Sequence, residues 1–224
     1  MLIPSIDLMG GKIVQLVQGD RKALEFDNFE YWVERFLAYP MVQLIDLDAA
    51  MGKGSNEALV GQFCERLPCQ VGGGIRSVEA VHRMFRAGAK KVIVGSALLK
   101  DGAVNLEAAQ QFARAAAAAR LIVAVDSRGG KVSIHGWKID IDLTPEQMMR
   151  ETEPYCGGFL YTHIDTEGLM KGIPMDVIQR LRATTKRKLI AAGGIRSQQE
   201  IDQLHAMDVD AVVGMALYTG ALKA

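Results

Sequence analysis

Short apolar runs alternate with longer amphipathic stretches along the whole chain. Eight runs, at residues 2–8, 42–47, 69–72, 91–95, 121–126, 158–162, 188–192 and 211–214, are rich in Ile, Val and Leu. They mostly lack polar alternation, the pattern of strands covered on both faces. Between them, residues 29–39, 56–66, 78–87, 104–120, 145–154, 174–184 and 198–206 read as helices, and 20–28 reads as a loop. The alanine run 115–119, flanked by Arg114 and Arg120, extends the fourth of these as a surface helix, alanine being the best helix former. Strand then helix, eight times over with only a short remnant for the last helix, predicts an α/β protein closed into a TIM-type (β/α)8 barrel. No Pro/Ser-rich or like-charged block divides the 224 residues, so one domain over 1–224 is expected.

An internal repeat sharpens this picture. Gly73-Gly74-Ile75-Arg76-Ser77 recurs as Gly193-Gly194-Ile195-Arg196-Ser197, an offset of 120. Val94-Gly95-Ser96-Ala97-Leu98 recurs as Val213-Gly214-Met215-Ala216-Leu217, and Ile6-Asp7 with Gly10-Gly11-Lys12 recurs as Val125-Asp126 with Gly129-Gly130-Lys131, both at 119. Three blocks in the same order predict two duplicated half-barrels, about 1–119 and 120–224, related by a pseudo-two-fold axis.

The repeated glycines lie between a strand and a helix. Glycine lets the backbone approach a ligand closely, and a helix start offers free N–H groups and a positive dipole end. Gly74 and Arg76 with Gly95 and Ser96, and Gly194 with Gly214 and Met215, therefore predict two anion cradles on opposite rims of the barrel mouth, for a ligand with a phosphate at each end. Ser197 with Glu200 fits a capping box at the second cradle's helix. The plainer reading, glycines that only make tight turns, is weakened by the symmetry of the two copies.

Asp7 and Asp126 stand at the carboxyl ends of strands 1 and 5, opposed in a ring of eight, where barrels carry catalytic groups. One carboxyl can act as general base and the other as general acid if their surroundings separate their pKa values. Thr162, ending strand 6, can hydrogen-bond a reacting oxygen or orient Asp126. His163 and Asp165 lie near the mouth, where a structural hydrogen bond is the commoner role for such a histidine. Asp46 and Asp48 end strand 2, as positioners of Lys53 or a ligand hydroxyl or as solvated loop carboxylates. Trp137, on the loop after strand 5, either stacks on a flat heterocycle or packs beneath the loop. Trp32 is expected in the core.

Lysine and arginine together number 26, as do aspartate and glutamate. The balance excludes a global basic field for nucleic acid or a membrane surface, so an anionic ligand must be held locally. Cys64, Cys69 and Cys156 give neither a disulfide framework nor zinc spacing, so no metal is expected and a reducing cytoplasm is. The N-terminus meets a carboxylate at Asp7 and does not read as a signal peptide, and no run of about 18 apolar residues predicts a membrane span.

In order along the chain, Leu2-Ile3-Pro4-Ser5-Ile6-Asp7-Leu8, Val17-Gln18-Gly19-Asp20, Asp46-Leu47-Asp48-Ala49-Ala50, Gly72-Gly73-Gly74-Ile75-Arg76, Val125-Asp126, Gly136-Trp137, Ala192-Gly193-Gly194-Ile195 and Ala216-Leu217-Tyr218-Thr219-Gly220 resemble the phosphoribosylformimino-aminoimidazole carboxamide ribotide isomerases of histidine biosynthesis. The resemblance implies an enzyme that performs an Amadori rearrangement of a small bisphosphorylated aminoaldose without metal or organic cofactor; a monomer is expected. It implies Asp126 as general acid on the ribose ring oxygen, Asp7 as general base at C2, and Thr162 as support. It assigns Gly19, Gly74, Gly95, Ser96, Gly172, Gly194 and Gly214 to the phosphates. This chain departs from the family at His163, where an aspartate is usual, and at Thr166-Glu167-Gly168, where Arg-Asp-Gly is usual. Three other readings stay open: a bifunctional isomerase that also takes phosphoribosylanthranilate, the related imidazole glycerol phosphate cyclase, and a non-catalytic bisphosphate-binding barrel. Pro4-Ser5-Ile6-Asp7 favours the isomerase over the cyclase, which usually carries Cys-Leu-Asp there, and carboxylates beside bound phosphates weigh against a mere binding barrel.

Overall fold

The computed structural model describes residues 1–223. Eight strands form the ring: β1 (Leu2–Met9), β2 (Val42–Asp46), β3 (Cys69–Gly72), β4 (Lys91–Val94), β5 (Leu121–Arg128), β6 (Gly158–His163), β7 (Lys188–Ala192) and β8 (Val209–Val213). Each pairs in parallel with the next, and β8 pairs in parallel with β1, Leu2 opposite Ala211, which closes the barrel. The helices after the strands are α1 (Phe29–Phe36), α2 (Glu57–Arg66), α3 (Val78–Arg86), α4 (Leu106–Ala116), α5 (Pro145–Thr152), α6 (Met175–Thr184), α7 (Gln198–Ala206) and the single turn α8 (Met215–Tyr218). The expected (β/α)8 architecture is therefore present.

Alternation along each strand divides the apolar residues into two clusters. Outward residues such as Ile6, Leu44, Val71 and Val123 meet the helices, while Ile3, Ile93, Ile122, Leu160, Ile190 and Val212 fill the lumen. The lumen also holds a hydrogen bond from Gln70 Nε2 to Gln43 Oε1 at 3.0 Å. Asp210, buried on β8, pairs with the Met1 amine and with Lys188 Nζ, the latter at 3.1 Å.

Besides shifts of one to three residues at several element ends, three departures from the sequence expectation matter. Helix 104–120 stops at Ala116, because Ala117 turns to φ +53° and leads through a short 3-10 turn into β5. Helix 29–39 stops at Phe36. Residues 20–28 are not simply a loop: Arg21–Phe26 pairs antiparallel with Lys12–Val17, which in turn folds back on the end of β1. Gly10 and Gly11 make that first turn at φ +58° and +73°, a pair of left-handed residues as a two-residue hairpin requires. The second half repeats it: Gly129 and Gly130, at φ +54° and +79°, fold Lys131–Ile134 back on the end of β5.

The remnant α8 covers the seam between β8 and β1 with aromatic rings. The Tyr218 ring centroid lies 4.2 Å from that of Trp32, 5.4 Å from Phe26 and 6.1 Å from Phe36, so Trp32 is in the core as expected. Among the described residues no helix is long and apolar enough to cross a membrane.

Candidate active site

At the carboxyl ends of the strands the barrel opens into a cavity of about 260 Å³. Its wall includes Asp7, Gly19, Gly74, Arg76, Gly95, Ser96, Asp126, Trp137, Thr162, Gly194, Gly214 and Met215, so of the residues expected in catalysis, in the cradles or on the phosphates all but Gly172 meet around one space. Gly172 is off the wall: its N–H donates to the carbonyl of Gly194 at 2.9 Å, bracing a cradle from behind.

The cradles match each other in the backbone. Gly73 and Gly74 have φ +94° and +68°, and Gly193 and Gly194 have +113° and +84°. A Cβ on Gly73 would lie 2.2 Å from the carbonyl oxygen of Asp46, and one on Gly193 would lie 2.4 Å from that of His163. Only glycine fits there, because each loop presses on the backbone of the loop before it. Gly95 (φ −118°, ψ −100°) and Gly214 (φ −108°, ψ −94°) lead into short helical turns in the same conformation. Ser77 and Ser197 cap α3 and α7, the latter through the expected capping box with Glu200. The Arg76 guanidinium is engaged by the carbonyls of Ala49 and Ala50, at 3.0 and 2.6 Å, and so ties the first cradle to the loop after β2.

The two aspartates sit on opposite strands of the ring and both line the cavity. Burial pushes the Asp7 carboxyl up to about 6, opposed by a hydrogen bond from Ser5 Oγ at 3.1 Å. Burial also raises Asp126, opposed by bonds from Trp137 Nε1, at 2.8 Å, and from Thr162, its register partner on β6. Trp137 lies under the tip of the first hairpin: a Cβ on Gly19 would come 2.5 Å from its ring. The indole packs at the mouth, one of the two roles that the sequence left open, and in addition donates to a catalytic candidate, which neither of those roles included.

The sequence did not single out a third carboxyl in this cavity. Glu167, on the loop after β6, lines the same wall, and its pKa is pushed up to about 8, first by burial and then by the charges of Asp7 and Asp126. Its loop is clasped by the first hairpin: Gln18 N–H donates to the Glu167 carbonyl at 3.1 Å, and a Cβ on Gly168 would meet the Leu16 carbonyl at 2.3 Å. Around pH 7 the mouth thus contains acidic groups of graded strength and one arginine already committed to carbonyls.

The remaining candidates are structural. Asp46 is buried, caps the turn Leu47–Met51 through Ala49 N, and accepts from Asn56 N and Nδ2 at 2.6 and 2.8 Å. Asp48 accepts from Gly10 N at 2.6 Å. His163 points away from the cavity, its Nδ1 3.3 Å from Tyr161 Oη and 4.0 Å from Asp165, whose carboxylate accepts from Gly129 N at 3.0 Å.

Comparison with known proteins agrees with this geometry. Residues 1–223 match the histidine biosynthesis protein family. The chain belongs to that family. A relative from Methanocaldococcus jannaschii, named 1-(5-phosphoribosyl)-5-((5-phosphoribosylamino)methylideneamino)imidazole-4-carboxamide isomerase, is 35% identical over 99% of this chain and 95% of its own. Relatives of the same name from Aquifex aeolicus and Archaeoglobus fulgidus are 33% and 34% identical, each over 99% of this chain and 94% of theirs. Family membership leaves Glu167 as the residue that the sequence reading registered as a departure and did not place in the site. The signal available was its position, one residue before a glycine in a loop at the mouth.

Proposed function

We propose that this chain is the aldose–ketose isomerase of its family, converting a bisphosphorylated N-ribosyl aminoaldose of histidine biosynthesis to the corresponding aminoketose. One observation carries the reading: two carboxyls of raised pKa, on opposed strands, lie between two matching glycine cradles in one cavity. Backbone N–H groups of the loops at Gly74 and Gly95-Ser96, and at Gly194 and Gly214-Met215, hold the two phosphates and stretch the substrate across the mouth. Duplication of half-barrels 1–119 and 120–224 supplies such a pair directly.

Asp126, whose enclosure favours the protonated form, gives its proton to the ribose ring oxygen. The ring C–O bond breaks as the nitrogen lone pair forms the Schiff base at C1. Asp7, ionised above about pH 6, then removes the C2 proton, and the electron pair passes to nitrogen through the new C1–C2 double bond. The enolamine collapses to the ketose as C1 takes up a proton and the C2 hydroxyl gives one up, with no net gain or loss of protons. Thr162 and Trp137 orient Asp126, and the indole stands where it can also cover the flat heterocycle of the substrate.

The test is turnover of the aminoaldose by the purified protein, with Asp7→Asn and Asp126→Asn alongside. Activity is expected in the wild type and should fall at least about a hundredfold in each variant, the scale for losing a general acid or base. A folded wild type that binds the substrate and does not convert it refutes the reading.

A further inference from the structure

The two halves present their aspartates alike in backbone and differently in side chains. The residue two places before each aspartate, on the same face of the strand, is Ser5 in β1 and Ala124 in β5. Ser5 is buried and donates its hydroxyl to Asp7 Oδ1 at 3.1 Å. Ala124 has no donor, and Asp126 draws its hydrogen bonds from Trp137 and Thr162 instead. Ser5 is itself fixed, since its carbonyl accepts from Tyr218 Oη at 3.0 Å in the core beneath the site. In the repeat the counterpart of Tyr218 is Leu99, so this brace too exists in one half only.

We propose that Ser5 is a positioning residue for Asp7, its hydroxyl favouring the ionised carboxylate that a base requires and fixing how that carboxylate faces the substrate. The proposal rests on the reading of Asp7 as general base. A donor aimed at a carboxylate favours its charged form and fixes which oxygen lone pairs face the substrate. Asp7 needs that help. Glu167 from the loop after β6, Tyr218 from α8 and Asp126 across the mouth all face it, and none is a cation. Among the described residues, the Ser5 hydroxyl is the side-chain donor on its carboxylate.

The experiment is kcat/KM for the aminoaldose from about pH 5 to about pH 9 for wild type, Ser5→Ala, Ser5→Thr and Asp7→Asn. It is paired with carbon-13 NMR titration of aspartate carboxyls in the substrate-free proteins. Loss of one charge-assisted hydrogen bond should move the ascending limb of Ser5→Ala up by about one pH unit. That is about fivefold lower kcat/KM near pH 6 and a difference within about twofold near pH 8. Ser5→Thr, which keeps a hydroxyl, should restore the limb. The resonance that moves in Ser5→Ala should be the one absent from Asp7→Asn. An unmoved limb and an unmoved resonance in Ser5→Ala, with Asp7→Asn inactive, overturn this proposal alone. Turnover in Asp7→Asn overturns the base assignment and this proposal with it.

Discussion

Replacing Glu167 by glutamine keeps the shape of the side chain and abolishes its proton equilibrium. In the folded protein this carboxyl holds its proton up to about pH 8, against an ordinary 4.5, through burial first and then the charges of Asp7 and Asp126. In the unfolded chain the proton leaves near the ordinary value. Between those two pH values the native state binds one more proton than the unfolded state, so stability falls as pH rises, by about 1.4 kcal/mol per unit. The accumulated loss is about 3 kcal/mol at pH 7 and about 5 kcal/mol from pH 8 upward; water in the cavity screens part of it, so these are ceilings. Glutamine carries none of this. Urea denaturation followed by tryptophan fluorescence should find the two proteins about equally stable near pH 5. The Glu167→Gln variant should lead by about 2–3 kcal/mol at pH 7 and by more at pH 8.5, several degrees in Tm for a chain of this size. Parallel stability curves at all three pH values would show that Glu167 titrates normally and does not share an enclosed site with the aspartates.

Other outcomes follow from the same geometry. Gly194→Ala places a Cβ 2.7 Å from Thr166 at φ +84°, and Gly74→Ala places one 2.6 Å from Ala49 at φ +68°. Each should cost about 1–3 kcal/mol of stability and raise KM far more than it lowers kcat, since a phosphate is held equally in ground and transition states; an unchanged KM in both would argue against the cradles. Trp137→Phe removes the N–H that holds Asp126 down, so the acid keeps its proton to higher pH and the descending limb of kcat/KM should move up; a limb that moves down contradicts the assignment of the acid.

Much of this architecture is readable in the sequence. The eight buried runs fall on the eight barrel strands because strands covered on both faces have little freedom in composition. The offset near 120 places Asp7 opposite Asp126 without further information. Helix ends read less well: alanine propensity carries a helix through 115–119, but the chain must turn at Ala117 to enter β5, a tertiary demand that propensity does not contain. The first hairpin escapes the reading although Gly10-Gly11 precedes an apolar run, because its short strands lie in what a barrel normally uses as a loop. Glu167 escapes it for a different reason. Nothing in spacing says that a loop 160 residues after Asp7 turns its carboxyl over the same cavity. The meeting is made by Gly168 pressing on Leu16, a contact between distant segments.

The seam between β8 and β1 has a consequence for biogenesis. Leu2 finds its partner only in Ala211, so a ribosome has made nearly the whole chain before the ring can shut. Until then the nascent protein carries an open curved sheet with an unpaired edge on β1, the kind of surface that recruits other chains. Closure across so long a loop is intrinsically slow. The interval between synthesis of β4 and synthesis of β8 is therefore when this protein most needs a chaperone, and mutations that slow ring closure should appear in the cell as lost yield before they appear as lost catalysis.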